Sequence, residues 1–180
     1  MKDDPLMSYK KAFYVNGSFR DIYIFGTDEL DWQKLLAFLR SSSYSIEFSV
    51  DDQPTPLPEQ VETIFTLRED HSTVLHIDKE HLALNSFFFT SEEIEFDLDP
   101  RDFQGEVAGE QIARLHDFIR TVGRLLGKAV ILTPEGGSLP EGGSLAPLFR
   151  FDPVANEEKW YSENIEREYQ WVMWSKERAY

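Results

Sequence analysis

In residues 91–100, SEEIEFDLDP, apolar and acidic side chains alternate one for one. Ile94, Phe96 and Leu98 fall on one face of an extended chain, and Glu93, Glu95, Asp97 and Asp99 on the other. That period describes a strand with a core behind it and water or a partner in front. Carboxylates two residues apart on one strand face stand about 6.5–7 Å from each other. Each therefore opposes ionisation of the next unless a cation or basic group intervenes.

The excess of acid is not confined to this strand. The chain of 180 residues carries a formal charge of −15. Residues 1–90 hold 15 acids and 8 bases, and residues 91–180 hold 18 and 10, so no detachable acidic tail accounts for it. A surface this negative disfavours nucleic acid and anionic membranes, and attracts basic proteins or cations. With 41% hydrophobic residues and 25 aromatics, the chain has ample material for a core, and its length suits one domain over residues 1–180. The absence of cysteine excludes disulfides and thiol chemistry. The amino terminus has no apolar signal-like region and no long uncharged apolar run follows, so a cytoplasmic location is expected.

Along the chain, Asn16-Gly17 between Lys11–Val15 and Ser18–Phe25 reads as a tight hairpin. A helix capped by Thr27 or Asp28 follows, with Trp32, Leu35, Leu36 and Leu39 on its apolar stripe. Tyr44, Ile46, Phe48 and Val50 alternate as a strand, and a second helix begins near Pro58. Strands at 73–78 and 81–90 come next, and aromatics on both faces of Phe87-Phe88-Phe89 suggest a covered strand. The longest helix spans 109–126 and stops at Gly127, and short strands follow at 129–133, 148–151 and around Trp160. The expected fold is α+β: a mixed, largely antiparallel sheet of about seven or eight strands with two or three helices packed on one side. Strand-helix-strand order recurs in possible halves 10–90 and 91–161, followed by a carboxyl-terminal helix at 162–180. A duplicated EGGSLP/EGGSLAP segment at 135–147 reads as a flexible loop.

Chemistry-bearing motifs are sparse. Asp97, Asp99 and Asp102 have a spacing that invites a metal, but Pro100 stiffens the segment where a cation loop needs a sharp flexible turn. His76, Asp78 and His81 span a hairpin turn and form a weak candidate metal set. His116 reads as a surface or boundary residue. No nucleophile elbow, phosphate loop or dinucleotide fingerprint is present, and no cofactor is expected. Trp160, Tyr161, Tyr169, Trp171, Trp174 and Tyr180 crowd the last 21 residues. Docked on the sheet they are core; exposed, Trp171 and Trp174 would form a homodimer interface.

These features lean away from an enzyme and toward an acidic protein-binding module. Glu93, Glu95, Asp97 and Asp99 would be the contact set for a basic partner. Antidote or immunity proteins of bacterial toxin systems, and inhibitors that mimic nucleic acid, share this composition. The alternatives are a metal-dependent domain using the histidine hairpin or the 97–102 acids, and a homodimerisation module built on the aromatic helix.

Overall fold

The computed structural model describes residues 5–135 and 147–177. Its elements are α1 (Pro5–Ala12), β1 (Arg20–Phe25), α2 (Glu29–Ser41), β2 (Ser45–Val50), β3 (Gln53–Pro54) and α3 (Val61–Asp70). Then come β4 (Thr73–Lys79), β5 (Leu82–Ser86), β6 (Glu93–Leu98), two short 3-10 turns between Pro100 and Val107, and α4 (Ala108–Leu126). The chain closes with β7 (Val130–Pro134), β8 (Phe149–Asp152), β9 (Glu157–Trp160) and α5 (Ser162–Glu177). The fold is α+β. The strands form one sheet of nine in the order β3-β2-β4-β5-β6-β1-β7-β8-β9. Every ladder is antiparallel.

Because neighbours alternate in direction, strands an even number of places apart run the same way. Both β1-α2-β2 and β6-α4-β7 therefore join parallel, non-adjacent strands, and β1 sits in the gap of the second unit. This is split βαβ geometry twice over. The 10–90 and 91–161 segments are thus interleaved in one sheet, since β1 of the first lies between β6 and β7 of the second.

The alternation seen in the sequence sorts the sheet into two faces. Ile22, Ile24, Phe48, Leu75, Ile77, Leu84, Ile94, Phe96, Leu98, Leu132, Phe149 and Phe151 form the apolar face and are all buried. The helices meet that face: Trp32 of α2 stacks on Phe88, Phe118 of α4 packs edge-on to Phe96, and Tyr9 of α1 packs edge-on to Trp160. Helix α5 contributes buried Ile165 and packs beside α1, where Tyr169 meets Tyr14 edge-on.

Local signals explain the helices. The Asp28 carboxylate accepts from the Asp31 amide at 2.9 Å and caps α2. Gly127 closes α4 with φ of 67°. Within α4, Gly123 lets β8 approach: an added Cβ would lie 2.8 Å from Phe151 Cδ1 and 3.1 Å from Val130 Cγ2.

Some expectations are corrected. The Asn16-Gly17 hairpin does not form, because Lys11 and Ala12 belong to the last turn of α1. Arg20 supplies the reason. Its buried guanidinium donates to the carbonyls of Ala12 (2.7 Å), Phe19 (2.9 Å) and Tyr14 (3.1 Å), folding residues 13–19 around itself. Asn16 instead accepts from the Ser18 amide in an Asx turn. Strand β5 ends at Ser86, so the phenylalanine triplet lies beyond it, with Phe88 at φ of 54°. Finally His116 is buried, walled by Tyr9, Phe149 and Trp160. The β8–β9 ribbon and α1 close over a helix position that looks peripheral on α4 alone. Most of the duplicated loop, residues 136–146, lies outside the described residues.

Candidate functional site on the open face of the sheet

The second face of the sheet carries polar side chains in register. Glu47 stands opposite His76, His76 opposite Asn85, Asn85 opposite Asp97, Asp97 opposite Asp21, and Asp21 opposite Thr133. One row thus crosses β2, β4, β5, β6, β1 and β7 at right angles to the strands. His76 Nδ1 lies 2.9 Å from Asn85 Oδ1, bridging β4 and β5.

The acidic centre of this face forms where β6 meets β1. Antiparallel pairing puts Asp21 directly across from Asp97, and Tyr23 across from Glu95. Ligand oxygens of Asp21, Glu95 and Asp97 all lie within 4.8 Å of one another. Tyr23 Oη donates to Glu95 Oε1 at 2.7 Å and reaches Asp21 Oδ2 at 3.3 Å. Asp21 is buried, whereas Glu95 and Asp97 are partly exposed.

This crowding shows in the protonation equilibria. Burial, then the charges of Asp21, Glu95 and Glu135, lift the Asp97 carboxyl to about 7. Burial and Glu95 together raise Glu93. Burial and its acidic acceptors hold the Tyr23 phenol far above its ordinary value, so it serves purely as a donor. No ion pair among the described residues engages Glu93, Glu95 or Asp97. By contrast, buried Asp31 has Lys34 at 3.1 Å and Lys128 at 3.4 Å.

The residues singled out in the sequence separate accordingly. Glu93, Glu95 and Asp97 share the open face with Asp21 and Tyr23. Asp99 lies just past β6, accepting from the Arg101 amide at 2.8 Å and paired with its guanidinium, which holds its carboxyl low. Asp102 sits in the 3-10 turn, raised by burial and by Asp99. Among the described residues, the only group of three or more acids or histidines close enough to share a metal ion is Asp21, Glu95 and Asp97. Neither the 97–102 acids nor His76, Asp78 and His81 form such a group. His76 joins the polar row, while His81 and Glu80 take positive φ and make the two-residue turn between β4 and β5. Trp171 and Trp174 lie on α5, and their side chains fall outside the described residues.

Asp21 and Tyr23 were missed because Arg20–Phe25, RDIYIF, is read locally as one arm of a hairpin. The signal was present: Asp21, Tyr23 and Phe25 alternate with Ile22 and Ile24. What the sequence does not reveal is that β1 pairs with β6, some 70 residues on.

No protein-family model, no curated protein and no solved structure matches this chain. Function therefore rests on the chemistry of the open face. Clustered, partly desolvated carboxylates can receive a lysine or arginine side chain, or a divalent cation; such clusters also occur with neither. Among the described residues no helix is long and apolar enough to cross a membrane.

Proposed function

We propose that this protein binds a basic protein partner through the open face of its sheet, with Glu93, Glu95 and Asp97 on β6 and Asp21 on β1 as the charged centre. The observation that carries this reading is the convergence of Asp21, Glu95 and Asp97 within 4.8 Å, reinforced by a net charge of −15. An arriving guanidinium or ammonium group would neutralise carboxylates that oppose one another in the free protein. The long-range field steers encounter, and the local cluster fixes register. Seated there, the acidic face occludes the basic surface it covers, which is how an immunity or inhibitor protein acts.

The test is charge reversal. A partner recovered by affinity purification from the source cells is measured against the wild type and a Glu95→Lys/Asp97→Lys variant across ionic strengths. The expected result is an association rate lowered by about tenfold or more at low salt, converging as salt rises. Binding indifferent to both charge reversal and salt overturns the reading.

A further inference from the structure

Next to the acidic centre, the same face turns aromatic. Tyr23 and Phe25 stack at 5.3 Å on β1, and Phe25 stands opposite Glu93. Phe87, two residues beyond Asn85, follows the end of β5 and stacks on Phe89 at 5.5 Å. Phe89 remains 54% exposed, a large ring left in water four residues before Glu93 in the chain.

The segment that presents it is strained. Phe88 has φ of 54°, a left-handed region that a bulky residue rarely adopts. Its ring is buried against Trp32 at 4.6 Å, and the Trp32 indole donates to the Thr90 carbonyl. Core packing thus fixes the loop in a conformation that leaves Phe89 exposed and Phe87 half-buried beneath it. Beside the stacked pair lies a cleft of about 310 Å³, lined by Arg68, Glu69, Asp70, His71, Phe87 and Phe89 among others. The Arg68 guanidinium sits 5.4 Å from the Phe89 ring centre.

We infer that Phe87 and Phe89 form an apolar anchor site, and that the partner of the acidic face is a basic protein inserting one large apolar side chain there. This inference rests on the reading of the acidic face given above. The cleft lies at the lower end of the size range of ligand pockets, about 300 Å³, which suits one side chain better than a cofactor. A second copy of this chain is disfavoured, because each copy carries a charge of −15 and Glu69 and Asp70 line the cleft. The same rim favours lysine or arginine around the apolar anchor.

Two synthetic peptides of equal positive charge test this, one of lysine and glycine only, the other with a tryptophan in place of one glycine. Binding is measured at low salt by fluorescence anisotropy. For the wild type, the tryptophan peptide is expected to bind about tenfold more tightly. Phe89→Ser should abolish that increment without changing affinity for the lysine-glycine peptide, and Phe89→Tyr should keep it. Glu95→Lys/Asp97→Lys should weaken both peptides more than Glu62→Lys/Glu106→Lys, a reversal of equal charge on the helical side. Equal affinities of the two peptides, or an increment that survives Phe89→Ser, overturn the anchor site and leave the acidic face standing. Two reversals with equal effect overturn the acidic face, and the anchor inference with it. A wild-type oligomer that Phe89→Ser converts to monomer also overturns the anchor inference, because the occupant is then a second copy. Unchanged melting of Phe89→Ser shows that its effect is local.

Discussion

Asp21 and Asp97 stand directly opposite each other on β1 and β6, two aspartates paired across an antiparallel ladder. Like charges so placed destabilise a sheet, and burial together with the Asp21 charge keeps a proton on Asp97 up to about pH 7. In the unfolded chain that proton leaves near the ordinary aspartate value of 3.8. Between those values the folded state binds more protons than the unfolded one. Stability from this group is therefore full at low pH and is lost as the pH rises through 7. Asp97→Asn removes the charge. It should be more stable than the wild type by about 1–2 kcal/mol near pH 8, a figure reduced for partial solvation, and nearly equal to it near pH 4. Melting curves at the two pH values check this; a pH-independent difference contradicts it.

Tyr23 is the neutral donor inside the cluster, at 2.7 Å from Glu95. Tyr23→Phe should cost about 1.5–3 kcal/mol at neutral pH, the range for a hydrogen bond to a charged group. The cost should shrink in a Glu95→Gln background, where the acceptor is neutral. Chemical denaturation in both backgrounds would read it, and an equal loss in each would remove the carboxylate from the explanation.

Helix α1 depends on Arg20 rather than on a hairpin. Arg20→Met leaves the carbonyls of Ala12, Tyr14 and Phe19 without this donor. A destabilisation of about 3 kcal/mol is expected, with water restoring part of the loss at the outer carbonyls. Hydrogen exchange should accelerate over residues 13–19 before other regions. Uniform protection across the chain would refute the role assigned to this side chain.

Gly123 tests the packing of α4 on β8. An alanine methyl would meet Phe151 Cδ1 at 2.8 Å. Overpacking of this kind costs about 1–3 kcal/mol, against a helix-propensity gain of about 1 kcal/mol. Gly123→Ala should therefore destabilise the protein by up to about 2 kcal/mol, and adding Phe151→Leu should relieve the clash. Gly123→Ala with a raised melting temperature would show that β8 yields instead.

His116 has its Nε2 buried without a hydrogen-bond partner among the described residues. Burial pushes its imidazole below the ordinary 6.5; Arg120 adds to this, while Glu158 and Asp117 oppose it. As the pH falls below 6.5 the unfolded chain takes up the proton first, so stability from this site declines until the folded value is passed. Asp97 contributes with the opposite sign over part of that window. The useful measurement is therefore the difference between His116→Phe and the wild type, which should move in favour of phenylalanine from about pH 7.5 to 5. Parallel curves would count against a neutral, buried His116.

Much of the fold is legible along the chain because its signals are local. Ile94, Phe96 and Leu98 alternate, Ile112, Leu115, Ile119, Val122 and Leu126 recur at helical spacing, and Gly127 ends the helix they define. Each depends on backbone geometry within a few residues. Asn16-Gly17 misleads for the same reason: its turn preference is real but modest, and the buried guanidinium of Arg20 outweighs it.

The sequence by itself determined that one strand shows acids on one side and apolar groups on the other. Only the tertiary structure decided which acids stand together. Pairing β1 with β6 brings Asp21 and Tyr23 into the cluster, while the chain beyond β6 turns Asp99 away into a pair with Arg101. The physical reason is that a strand's period is written in its own residues, whereas its neighbour is chosen by burial across the whole sheet.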